Sequence, residues 1–128
     1  MSQYLESNDV EEVKAFVARR TDNQQIIDNV LNFAVAITQG AIANDHAEGR
    51  GLPNPDDVKV VHRFVSGNYT DLKRAGEQTI PGLKYMVNVT MPSGITYDGY
   101  CFLTQGGGGK LIDFLLEDEV RDWWPDSV

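Results

Sequence analysis

Apolar residues recur at helical spacing in the first third of the chain and alternate with polar ones through most of the rest. Val10, Val13, Phe16 and Val17 fall on one side of a helix that the spacing starts after Asn8, where Asn8 and Glu11 stand as a capping box. Arg19 and Arg20 then place positive charge in its last turn, where the helix dipole favours it. Thr21 and Asp22 break the pattern. Beyond them Ile26, Ile27, Val30, Leu31, Ala34, Ile37, Ala41 and Ile42 predict a second, longer helix with one apolar stripe. A stripe of that length must lie on something, and a sheet is the surface the chain can supply. His46 to Pro55, with two glycines and two prolines, reads as a loop.

The period then changes to two. Val58, Val60, His62 and Phe64 share one side of a strand, with Lys59, Val61, Arg63 and Val65 on the other. Ser66-Gly67-Asn68 predicts a turn, and residues 69–78 fit either a helical turn or a strand edge. Leu83, Tyr85, Val87, Val89 and Met91 alternate again; after Pro92-Ser93-Gly94 so do Ile95, Tyr97, Cys101 and Leu103. The run Gln105-Gly106-Gly107-Gly108-Gly109 leads into a last strand, Leu111 to Leu116, apolar on both sides. Short links between consecutive strands predict an antiparallel meander, and helices followed by strands predict an α+β fold with N-terminal helices packed on a curved antiparallel sheet. The helices suffice to cover one side only. The other side, where Leu111 and Leu115 are placed, is expected to pair with a second copy, and Trp123 and Trp124 are the aromatic anchors for such an interface.

Length and composition fit one domain over residues 1–128 that needs neither disulfide nor metal to fold. The formal charge of −8 disfavours contact with nucleic acid phosphates. Six acidic residues from Asp113 to Asp126 stand against Arg121 alone, a pattern that would suit an acidic inhibitor of a basic partner. The lone cysteine, Cys101, falls in phase with buried positions and reads as an inert thiol. The N-terminus lacks the pattern of a secretory signal, and the stretch from Asn29 to Asn44 is too polar and short to span a bilayer; a cytoplasmic protein without membrane contact is expected.

Little of the chain suggests chemistry. The glycine run is not a phosphate loop: Leu111 follows Gly109-Lys110 where serine or threonine is required, and the run opens a strand rather than a helix. No metal-ligand spacing occurs, and no cofactor is implied. His62, on an apolar strand side, is the one candidate general base, with Asp98 or Asp113 as its orienting carboxylate. Tyr85, Tyr97 and Phe64 are the side chains expected to line a ligand cavity.

The segments Tyr100-Cys101-Phe102-Leu103-Thr104 and Gly109-Lys110-Leu111-Ile112-Asp113-Phe114, with the order helix, long helix, loop and antiparallel meander, resemble the NTF2-like (cystatin-like) superfamily. That group's closing hairpin often ends in Gly-Lys-Trp-Lys-Ile and an acidic residue; Leu111 stands here in place of the aromatic residue. The resemblance implies a cone-shaped sheet wrapped around the long helix, a pocket between them and dimers formed through the outer sheet face. The group includes isomerases and dehydratases with a His-Asp pair as well as noncatalytic binding domains. A noncatalytic module that binds a small apolar ligand or another protein is the leading expectation, and a small enzyme with His62 as base is the alternative.

Overall fold

The computed structural model describes residues 4–71 and 78–116. The chain is an α+β domain whose helices lie on an antiparallel five-stranded sheet. Strand β1 (Tyr4–Ser7) precedes helices α1 (Val10–Ala18) and α2 (Gln24–Ala47). Strands β2 (Lys59–Asp71), β3 (Gln78–Thr90), β4 (Thr96–Gln105) and β5 (Leu111–Leu116) follow. The sheet order is the chain order, β1-β2-β3-β4-β5.

Both helices start close to the expected residues, the first with a different cap. Asp9, not Asn8, caps α1, accepting from the Glu11 amide at 2.9 Å. Asn23 caps α2 by accepting from the Gln25 amide, while Thr21 ties the link between the helices to β5 through a 3.0 Å bond to the Leu111 carbonyl. Arg20 sits over the Phe16 ring, 3.7 Å from its centroid. Helix α2 runs through Ala47, so the expected loop is shortened to residues 48–54 before a 3₁₀ turn at Pro55–Asp57. The expected turn at Ser66-Gly67-Asn68 is instead continuous strand, paired to Leu83, Gly82 and Pro81 of β3.

The core lies between α2 and the inner side of the sheet. Val13, Phe16 and Val17 of α1 and Ile26, Ile27, Val30 and Ala34 of α2 close on Phe64, Leu83, Tyr85, Val87, Cys101 and Leu103. Burying each of the larger of these side chains contributes about 1.5–3 kcal/mol. By length and composition α2 also meets the requirement for a membrane-crossing helix, yet here its apolar stripe is the part that covers the sheet. The link between β4 and β5 is the expected glycine connection. Gly108 and Gly109 adopt φ of 76° and 79°, a left-handed conformation that residues with a Cβ rarely enter.

Leu111 departs from the expected outer position. A bulge at Thr104/Gln105 sets Leu111 opposite Gln105 but Asp113 opposite Thr104, so the two ends of β5 are out of phase. Leu111 turns into the core at 2% exposure, while Leu115, opposite Phe102, stays on the outer side. Ile112 and Leu116 are exposed, so the strand that reads as covered on both sides is only partly covered. Trp123 and Trp124 lie outside the described residues.

Candidate functional site

The site grows from a mismatch in strand length. β1 ends at Ser7, paired with His62, while β2 begins three residues earlier at Lys59. The β2 segment before His62 therefore has no β1 partner, and the chain leaves the sheet there through Asn8 into α1. Helix α2 crosses above, and a cleft of about 630 Å³ remains between them. Five consecutive residues, Val58 to His62, line it. Alternation sends neighbours to opposite sides of a sheet, so a run of five marks a cleft opening along a strand edge. Ala34, Val35 and Thr38 of α2 line the cleft from the helix side, and Asp56 lines it as well. Val10 and Val35 stand at 53% and 51% exposure on its margin.

His62 is 1% exposed. Its Nδ1 is 2.8 Å from the Tyr85 hydroxyl, and the two ring planes lie within 2° of parallel. Its Nε2 is buried and meets no hydrogen-bond partner among the described residues. Burial disfavours the charged imidazole, so the His62 pKa is held below that of an ordinary histidine. Burial likewise pushes the Tyr85 phenol up, the neighbouring Cys101 thiol adding to the effect. Both members of the pair are thus neutral near pH 7.

The carboxylates expected to orient His62 are elsewhere. His62 points to the helix side, in phase with Phe64, whereas Asp98 and Asp113 stand on the outer side. Asp98 accepts from the Asn88 amide across the β3–β4 ladder and from the Tyr100 hydroxyl at 3.3 Å; Asp113 is exposed and accepts from the Phe114 amide. The His-Asp pair is not assembled, and a tyrosine occupies the orienting position. Sequence periodicity already separated Asp98 from the inner positions of β4. It could not show that Tyr85, diagonal to His62 across β2 and β3, would reach the imidazole.

Of the residues expected to line a cavity, Tyr85 acts only through His62. Phe64 is wholly buried between Tyr85, at 4.4 Å between ring centroids, and Phe16, at 4.8 Å. Tyr97 belongs to a different cluster at the far end of α2. There its hydroxyl donates to Asp45, which is 3% exposed and also holds Arg50 at 2.9 Å, while Asn44 donates to the Tyr97 oxygen at 2.9 Å. This network fastens the last turns of α2 to β4. Bonds from Arg50 and Tyr97 to its charged form hold the Asp45 carboxyl below the usual carboxylate range. A carboxyl with a lowered folded pKa contributes stability above its unfolded value, and that contribution is lost as pH falls through the folded pKa. Asp45→Asn should therefore lower the urea midpoint at pH 7 and leave a shallower loss of stability between pH 5 and pH 3; an unchanged acid limb would show that the network contributes nothing.

Cys101 is fully buried, and burial raises its thiol pKa well above normal, so it is not poised as a nucleophile. Among the described residues no three His, Cys, Asp or Glu side chains converge as metal ligands would. Asn8, Asp56 and Lys59 are members of the cleft that sequence reasoning missed. No protein-family model matches the chain, and no curated protein and no solved structure matches it either.

Proposed function

We propose that this domain is a noncatalytic binding module that takes a small, largely apolar molecule into the cleft between α2 and β2. The observation that carries this reading is the buried, unpartnered Nε2 of His62, a residue that lines a cleft of ligand-sized volume. Ala34, Val35, Val58 and Val60 supply apolar walls, and His62 supplies one fixed polar group. The reading is noncatalytic because, among the described residues, the one side chain that bonds His62 is a neutral phenol, which orients an imidazole but cannot stabilise its charged form as a carboxylate would. The order of elements, with a ligand-sized space beside the long helix, also supports an NTF2-like assignment.

The test is a titration of ¹⁵N-labelled protein with α-methylstyrene, followed by amide shifts. The largest shifts are expected at Ala34, Val35, Val58 and Val60. Val35→Trp, at a position half open to solvent, should fill the cleft mouth and weaken binding at least tenfold without unfolding the domain. Shifts confined to the shallow apolar groove beside Phe33 and Phe114, or none at millimolar ligand, would reject the cleft as the binding site.

A further inference from the structure

The hydrogen bond between His62 and Tyr85 fixes which kind of ligand atom the cleft accepts. Two arrangements satisfy the 2.8 Å contact. In one, Nδ1–H donates to the phenol oxygen; the hydroxyl hydrogen of Tyr85 must then be buried without an acceptor, because the described residues offer it no second partner. The Nε2 lone pair is unpaired as well. In the other, the Tyr85 hydroxyl donates to Nδ1, and the imidazole proton resides on Nε2. Nε2–H is then the one donor left unpaired, as the Tyr85 hydroxyl is in the first arrangement. The number of hydrogen bonds is the same in both, and the second is preferred because the phenol is the stronger hydrogen-bond donor and the neutral imidazole nitrogen a far stronger acceptor than a phenol oxygen. The tautomer is thus set by the acid and base strengths of the two partners.

Resting on the binding function proposed above, we propose that the cleft selects a neutral apolar molecule bearing a carbonyl or ether oxygen, which accepts a hydrogen bond from His62 Nε2–H. The surrounding chemistry agrees. Ala34 and Val60 cannot solvate an ionised group, and Lys59 alternates to the other side of β2 from His62, so a carboxylate is disfavoured as the end that meets the imidazole. A ligand donor such as an amine would meet another donor at Nε2. Tyr85 is a positioning residue: it does not line the cleft, and it holds the proton on the nitrogen that a ligand would meet.

Acetophenone and α-methylstyrene form the probe pair, since they share a shape and differ in a carbonyl oxygen against a methylene. Acetophenone should bind the intact protein about tenfold more tightly. In His62→Phe the two should bind equally. Benzoate should bind more weakly than acetophenone. Equal binding of the pair to the intact protein would overturn the donor assignment while leaving the cleft as a binding site; failure of both to bind would reject the cleft itself. Tighter binding of benzoate would overturn the selection of neutral ligands. The free protein gives an independent reading. Long-range ¹H–¹⁵N spectra should show His62 as the Nε2–H tautomer, and a proton found on Nδ1 would overturn the proposal whether or not the variant folds.

Discussion

Gly82→Ala should destabilise the domain by about 3 kcal/mol, at the upper end for inserting one methyl group into a packed site. Gly82 is paired with Gly67 on one side and Thr104 on the other, in the middle strand of the sheet. A Cβ built there lies 2.1 Å from the Leu103 carbonyl oxygen and 2.7 Å from Phe102 Cζ. The carbonyl is main chain inside a ladder, so relief requires β3 and β4 to separate locally. Two other glycines calibrate the claim. At Gly99 the added carbon meets Cδ1 and Cγ1 of Ile37 at 2.5 Å, side-chain atoms of a helix residue rather than main chain in a ladder, so Gly99→Ala should cost about half as much. At Gly40, in an exposed part of α2, nothing lies within 4 Å, and alanine should stabilise by about 0.8–1 kcal/mol through helix propensity. Urea melts of the three variants should therefore fall in the order Gly40→Ala, Gly99→Ala, Gly82→Ala. A Gly82→Ala midpoint equal to that of the unmodified protein would mean that the sheet is looser there than its geometry requires.

The contrast among these glycines also shows what the chain discloses before it is folded. Periodicity located α1, α2, β2, β3 and β4, because each has enough residues for its period to stand out, and β5 was legible as an apolar run after the glycines. Periodicity missed β1, whose four residues are too few to display alternation. It ended α2 early because His46 opens a stretch rich in glycine and proline, whereas the helix runs on through Ala47; Asp45 stays helical and buried because Arg50 and Tyr97 satisfy its carboxylate. The inward turn of Leu111 depends on a bulge, and a single extra residue leaves no mark on a short apolar run. For the site the division is similar. His62 was legible as a polar residue on an apolar strand side, whereas the cleft beside it was not. That cleft exists because β1 stops opposite His62, and strand ends are set by pairing across the sheet rather than by the residues of either strand.

The second large effect is expected at the His62–Tyr85 pair. Tyr85→Phe keeps the ring stacked on Phe64 but removes the hydroxyl, leaving Nδ1 of a fully buried imidazole without a partner. The expected cost is about 1–3 kcal/mol, the penalty for one unsatisfied buried group. Replacing both partners should be milder than replacing one: His62→Phe with Tyr85→Phe leaves no polar atom to satisfy, and its stability should lie closer to that of the unmodified protein. The pH dependence separates this from simple repacking. The folded pKa of His62 is lowered, so below its unfolded value near 6.5 the unfolded chain takes up a proton that the folded one does not. The histidine therefore leaves stability unaffected above pH 7 and removes it progressively as pH falls below about 6.5, until the folded pKa is reached. Urea midpoints compared at pH 7.5 and pH 5.5 should drop for the unmodified protein and drop less for the double variant, in which that proton uptake is absent. Equal drops would show that the imidazole is already solvated in the folded domain, and with it the case for a single poised donor in the cleft would fall.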